Sequence, residues 1–138
     1  MKKILLASHG EMAFGLKQTL EFFLGEDSCI QAIGAYLDEG ANYLNEVENI
    51  IKQSKDEELV IFTDIYGGSV NQQISALLIQ MNRNIPLITS MNLPIILSIA
   101  LSEDAITAKK VEMFAQECMP KMVQFYADEE GGEESFFE

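Results

Sequence analysis

The sequence predicts an α/β fold, a three-layer open sandwich whose mainly parallel sheet of about four strands carries helices on both faces. Two observations lead there. Short β-rich runs alternate with longer segments of helical periodicity, the pattern of strands joined by crossover helices. The run 59–62, Leu-Val-Ile-Phe, is apolar without alternation, as in a strand covered on both faces. The chain has 138 residues, 48% of them apolar, enough for one compact domain with a sizeable core. That domain is expected over 1–127, followed by a tail at 128–138.

In chain order, 2–7 reads as the first strand. Lys2 and Lys3 ahead of Ile4-Leu5-Leu6 do not make a leader, because Ser8-His9-Gly10 and Glu11 interrupt the apolar run well short of a signal-peptide core. A helix over 11–24 follows, with Met12, Leu16, Leu20, Phe23 and Leu24 at helical spacing and Gly25 as its stop. Residues 29–36 form the second strand, and 42–54 a crossover helix with Leu44, Val47, Ile50 and Ile51 on one face. Leu59–Thr63 is the third strand; it ends at Asp64-Ile65-Tyr66-Gly67-Gly68-Ser69, after which 70–81 is helical. The fourth strand spans 85–90 and ends at Met91-Asn92-Leu93-Pro94. A last helix is expected over about 104–125, with Val111, Phe114, Cys118, Met122 and Phe125 inward and a stop or kink at Pro120. The seven methionines read as gap-filling core residues. The tail is an acidic run broken by Gly131 and Gly132 and is expected to be disordered, with Phe136 and Phe137 available for docking.

Charge and cysteines narrow the function. A formal net charge of -13 works against any surface built to attract phosphate backbones or anionic lipids, so nucleic-acid and membrane-surface roles rank near the bottom. No apolar stretch approaches the roughly 18 residues that a membrane-spanning helix needs. Cys29 and Cys118 lie far apart without paired spacing, so neither a metal knuckle nor a disulfide framework is expected, and a reducing cytoplasm fits.

In an open α/β sheet, reactive groups gather at the carboxyl ends of the strands. His9, the only histidine, follows the first strand; Asp64 follows the third and Asn92 the fourth, so three distant segments are expected at one sheet edge. A neutral imidazole has one nucleophilic nitrogen and one N–H. A carboxylate that accepts the N–H fixes the tautomer and stabilises positive charge on the ring, the role Asp64 is placed to play. Gly10 removes bulk beside His9, and the following helix offers unpaired N–H groups to a phosphoryl dianion. The Gly67-Gly68-Ser69 turn adds amides and a hydroxyl before another helix. Read from pattern alone, His9 is equally a surface residue and Asp64 an N-cap. The pairs Glu26-Asp27 and Glu103-Asp104 and the triplet Asp56-Glu57-Glu58 fall at loops and helix starts, where carboxylates are structurally favourable.

Three motifs in order carry a resemblance: Ile4-Leu5-Leu6-Ala7-Ser8-His9-Gly10, then Phe62-Thr63-Asp64-Ile65-Tyr66-Gly67-Gly68-Ser69, then Met91-Asn92-Leu93-Pro94. Together they resemble the IIA component of the mannose-family (mannose/fructose/sorbose) PEP-dependent sugar phosphotransferase system. The resemblance implies a cytoplasmic protein-histidine phosphotransferase that takes a phosphoryl group from HPr on His9 and passes it to a IIB component, without metal or cofactor. It implies that Asp64 orients the imidazole and that Ser8, Gly10, Gly67, Gly68 and Ser69 bind the phosphoryl group. It also implies a homodimer, in some members by strand exchange, that serves the membrane IIC and IID components indirectly. Any IIB partner is expected on a separate polypeptide. Two departures stand out: Val70 replaces a proline often found after the Gly-Gly-Ser loop, and Ser98 stands where a glutamate often follows Asn-Leu-Pro. Three other readings compete: a phosphocarrier domain that feeds dihydroxyacetone kinase, a phosphorylation-dependent regulatory module, and a flavodoxin-shaped ligand-binding domain. The last lacks a Ser/Thr-rich phosphate loop after the first strand.

Overall fold

A computed structural model of the chain describes residues 2–124. The elements run β1 (Lys3–His9), α1 (Met12–Leu24), β2 (Ile30–Ala35), α2 (Tyr43–Lys52), β3 (Leu59–Thr63), α3 (Ser69–Gln80), β4 (Leu87–Ile88), α4 (Leu93–Leu101) and α5 (Ala108–Glu117). The four strands pair in the order β2-β1-β3-β4, and every pairing is parallel.

Side chains of successive strand residues point to opposite faces, and this parity sorts the core into two clusters. Ile4 and Leu6 of β1, with Val60 and Phe62 of β3, pack against Ala13 and Leu20 of α1 and Ile95, Ile96 and Ile99 of α4. Leu5 and Ala7, with Leu59 and Ile61, pack against Val47 and Ile51 of α2 and Val70, Ile74 and Leu78 of α3. The result is the three-layer sandwich that the sequence predicts, with α1, α4 and α5 on one face and α2 and α3 on the other. Because β2 precedes β3 in the chain but lies on the far side of β1, the chain reverses direction at β1, between helices that leave to opposite faces.

Several boundaries differ from expectation. The fourth strand pairs only at Leu87–Ile88, because Pro86 has no N–H and Ser90 bends away at φ 53. Ile85 is nevertheless buried, and the Pro86 carbonyl still accepts from Ile61 N at 2.9 Å. Helix α4 was hidden inside a run, Leu93–Leu101, that is apolar but for Ser98 and shows no clear amphipathic period. Its start is held by Asn92, whose side chain accepts from Ile95 N, with Pro94 in the first turn. Its end is held by Lys2, whose ammonium donates to the carbonyls of Ile99 and Ser102 at 3.0 and 2.7 Å. Burial lowers the Lys2 pKa, an effect that Asp104 opposes and Lys110 reinforces.

Helix α5 is shorter than the expected 104–125. It begins after Thr107, whose hydroxyl caps Lys110 N, and ends before Pro120. Val111, Phe114 and Cys118 face the core as expected, whereas Met122 is exposed and Phe125 lies outside the described residues. On α1 the buried line is Ala13 and Leu20, flanked by Leu16 and Leu24, and this leaves Met12 and Phe23 exposed. The small Ala13, not the larger Met12, starts the stripe. The methionines are mostly not core residues. Met91 is buried, but Met12, Met113, Met119 and Met122 are exposed. The tail at 128–138 lies outside the described residues.

One glycine determines how closely the ends of β1 and β2 approach. A Cβ at Gly34 would lie 2.3 Å from the Gly10 carbonyl oxygen, 2.6 Å from Leu37 Cδ1 and 2.9 Å from Phe14 Cε2. The first neighbour is backbone and cannot rotate away. Gly34→Ala is therefore expected to destabilise the fold by about 1–3 kcal/mol, read as a lower midpoint in urea unfolding. A midpoint equal to that of the unaltered protein would show that the Gly10 turn yields freely.

Candidate functional site

His9 is the last residue of β1, Asp64 the first beyond β3 and Tyr36 the first beyond β2, so three neighbouring strands deliver them to one edge of the sheet. Parity then separates Ser8 from His9. Ser8 points to the α1 face, is fully buried, and its hydroxyl accepts from Ala13 N at 2.8 Å, supporting the first turn of α1. His9 points to the other face, toward the start of α3. The structure thus puts the Ser8 hydroxyl beneath the site as a helix support, not in the position expected for a phosphoryl ligand.

Asp64 makes the central contacts. Its Oδ2 accepts from the His9 backbone N–H at 2.8 Å and lies 2.9 Å from His9 Nδ1, while its Oδ1 accepts from Ile65 N at 3.0 Å. The carboxylate side chain is 7% exposed and the imidazole 39%. Burial pushes the Asp64 pKa up, but the hydrogen bonds from the His9 backbone and ring and from the local backbone, with the charge of the ring, outweigh it and hold the carboxyl below its ordinary value. An anionic Asp64 requires the proton on Nδ1, and in the neutral ring this leaves a lone pair on Nε2. Asp64 is not an N-cap; the N-cap of α3 is Gly68, which has no side chain to cap with.

Nε2 lies 3.1 Å from the hydroxyl of Ser69, the first residue of α3. The N–H groups of that first turn have no acceptors within the helix, and the helix N-terminus carries partial positive charge. Gly68 packs under the ring: a Cβ there would sit 3.6 Å from His9 Cε1 and 3.2 Å from Ile65 Cβ. Gly67 takes φ 74, its N–H donates to Asn71 Oδ1 and its carbonyl accepts from Gln72 Nε2, so this residue shapes the turn. The Gly10 N–H is engaged by the Ala35 carbonyl at 2.9 Å, which extends the β1–β2 pairing one step past His9. Of the residues expected to bind phosphoryl, Ser69 stands at Nε2 and Gly68 packs against the ring with its N–H given to the Ile65 carbonyl at 3.0 Å, while Gly10 and Gly67 build the turns around them.

Asn92 does not join His9 and Asp64. Besides capping α4, it donates from Nδ2 to the Cys118 carbonyl at 3.2 Å. Two of the acidic clusters make structural contacts. Asp56 takes Arg83 and the Asn84 N–H, Glu58 takes the Lys55 N–H, and Asp104 takes Lys110.

Two residues at the site were not anticipated. The Tyr36 hydroxyl donates to Ser69 Oγ at 2.9 Å, and its ring lies 5.5 Å from the His9 ring, centroid to centroid. Tyr43 meets Tyr36 edge-on at 6.0 Å and donates to Gln73 Oε1. Burial, reinforced by Tyr36 and Asp64, pushes the Tyr43 hydroxyl up to about 12, so it stays protonated. The signal for Tyr36 was available: it follows the strand adjacent to β1, at the same carboxyl edge. Applying the strand-end rule to the second strand as well as to the first, third and fourth would have found it.

Comparison with known proteins places this geometry. Residues 3–117 match the family model described as PTS system fructose IIA component. A crystal structure from Klebsiella pneumoniae subsp. pneumoniae, described as a phosphoenolpyruvate-dependent sugar phosphotransferase system permease, is similar at 29% identity, with 91% of this chain and 94% of that one covered and a TM-score of 0.72. The PTS IIA protein associated with the fucose utilization operon of Streptococcus pneumoniae is similar at 28% identity over 91% and 96% of the two chains, TM-score 0.67. The mannose/sorbose specific IIA subunit from Enterococcus faecalis shares the fold at 17% identity, covering 88% and 96%, TM-score 0.73.

The lowered Asp64 pKa gives a stability prediction whose sign is fixed. A depressed folded value contributes stability above the ordinary carboxylate range, and that stability is lost as pH falls through the lower folded value. Asp64→Asn is expected to cost about 1–2 kcal/mol at pH 7, with the gap to the unaltered protein closing toward pH 2. Urea unfolding of both proteins at several pH values checks this. Asp56, Glu58 and Asp104, also held low, titrate in both proteins and cancel in the difference. A gap that stays constant with pH would mean that Asp64 does not carry the charge.

Proposed function

The chain belongs to the fructose/mannose IIA family of the sugar phosphotransferase system, and from that premise we propose that it is a phosphocarrier that accepts a phosphoryl group from phospho-HPr on His9 and passes it to a IIB component during sugar uptake. One observation carries the reading. His9 has its Nδ1 tied at 2.9 Å to a buried carboxylate and its Nε2 at the exposed carboxyl edge of the sheet, 3.1 Å from a hydroxyl at a helix N-terminus.

The chemistry follows from that arrangement. The Nε2 lone pair attacks phosphorus in line, and the ring becomes positive as the N–P bond forms. Asp64, already anionic and bonded to the Nδ1–H, stabilises that charge without moving a proton. Ser69 and the first-turn amides of α3 meet the phosphoryl oxygens. Onward transfer runs the same steps in reverse against the acceptor's nitrogen, so positioning and charge stabilisation are most of what the protein contributes. The same reading includes a cytoplasmic location beside HPr, indirect service to IIC and IID, and a homodimer. A homodimer agrees with the short edge strand β4, which has no strand on its outer side among the described residues. No helix among the described residues is long and apolar enough to cross a membrane.

Incubation of the purified chain with phosphoenolpyruvate, enzyme I and HPr is expected to add one acid-labile, alkali-stable phosphoryl group, mapped to His9 by peptide mass. His9→Ala should abolish it while the protein stays folded. Asp64→Asn should slow acceptance on the order of 100-fold or more, since the amide no longer offsets the charged ring. Normal labelling of the His9→Ala protein would sink the proposal.

A further inference from the structure

The Tyr36 hydroxyl lies one hydrogen bond beyond the reactive nitrogen, and the direction of the chain of bonds is fixed from its other end. In the neutral ring, with Nδ1 protonated toward the Asp64 carboxylate, Nε2 can only accept, so Ser69 gives its single proton to Nε2. The lone pairs of Ser69 Oγ are then what the Tyr36 proton meets, at 2.9 Å. The backbone is a second, independent observation. Tyr36 is 62% exposed and sits at φ 65, a left-handed conformation that is unusual for a bulky residue. Neither core burial nor backbone preference calls for tyrosine there, whereas the contacts of its hydroxyl and ring with Ser69 and His9 do. Tyr43, edge-on and itself tied to Gln73, braces the ring from the far side.

We infer that Tyr36 is a positioning residue for phosphoryl transfer that acts through Ser69. The inference rests on the carrier role proposed above. In the transfer step the Nε2 lone pair forms the new N–P bond while the bond from phosphorus to the donor's ring nitrogen breaks, and that nitrogen keeps the electron pair. The Nδ1 proton stays in its bond to Asp64, and no proton changes hands. At that moment the Ser69 proton loses Nε2 as its acceptor and must turn to a phosphoryl oxygen. Donation from Tyr36 occupies a lone pair of Ser69 Oγ throughout, which restricts where the Ser69 O–H can turn and polarises it. Tyr36 thereby keeps the Ser69 proton on the phosphoryl side in both states.

The test is single-turnover acceptance from purified phospho-HPr by the full chain and by Tyr36→Phe, Ser69→Ala and the double variant. Tyr36→Phe keeps the ring and the backbone and removes one neutral hydrogen bond, so a loss of about three- to tenfold is expected. Ser69→Ala should lose more, and adding Tyr36→Phe to it should cost nothing further. In the resting Tyr36→Phe protein the ¹⁵N resonance of His9 Nε2 should move while the urea midpoint does not, a signature that a structural role would not give. An unchanged rate in Tyr36→Phe, or the same fractional loss with and without Ser69, overturns the inference while leaving the carrier role intact. If the unaltered chain takes no phosphoryl group from active phospho-HPr, the carrier role itself falls.

Discussion

The bond between the Asp64 carboxylate and His9 Nδ1 is the constraint on which the rest of the site depends. One carboxylate oxygen holds both the backbone N–H and the ring of His9, and the other is held by Ile65 N. Those donors keep Asp64 ionised despite its burial. Its charge fixes the imidazole tautomer, and the tautomer decides which nitrogen reaches solvent. Every later feature presupposes that choice. Ser69 can donate to Nε2 only because Nε2 carries no proton, and with that proton committed Ser69 meets Tyr36 purely as an acceptor.

This bond needs the ends of two strands side by side with a helix start beneath them, and the topology supplies both. β1 and β3 are neighbours in the sheet although the chain visits β2 between them. At that reversal the connecting helices leave to opposite faces and open a gap at the carboxyl edge. Strand parity then gives adjacent residues of β1 different work, with Ser8 securing α1 from below and His9 facing α3. A one-residue slip in the pairing would exchange the two and put the serine at the transfer position. The register Leu6↔Phe62 and Ala7↔Thr63 therefore sets the geometry of the site as much as that of the core.

The architecture and the His9–Asp64 pair were legible because each follows from a strong, local signal: apolar strand runs, helical spacing and polar residues at strand ends. What escaped was set by tertiary partners. Met12 and Phe23 have the right spacing for burial, yet the stripe on α1 is drawn by Ala13 and Leu20, a small residue and a large one whose fit depends on the facing sheet. Helix α4 lay in a run, apolar but for Ser98, where periodicity carries little information, and its true marker was the Asn92 cap with Pro94 behind it. Ser8 is next to His9 in the chain, yet strand parity sends its side chain to the α1 face, where its hydroxyl accepts from Ala13 N. Tyr36 reads as an ordinary strand-end aromatic until the positive φ of its backbone and its contact with Ser69 are seen.

The donors around Nε2 are neutral: a serine hydroxyl, backed by a tyrosine, at the amide end of a helix. Under the carrier role proposed above, that choice has a thermodynamic reason. A lysine or arginine fixed against the phosphoryl dianion would form charge-assisted bonds roughly twice as strong as neutral ones. It would stabilise the phosphorylated state as much as the transition state, and that deepens a well from which the group must leave again. In that role neutral donors would hold the oxygens in line and follow them as charge shifts, while the charge on Asp64 would answer the charge that develops on the ring. A phosphoryl group held in this way would be placed for transfer without being trapped.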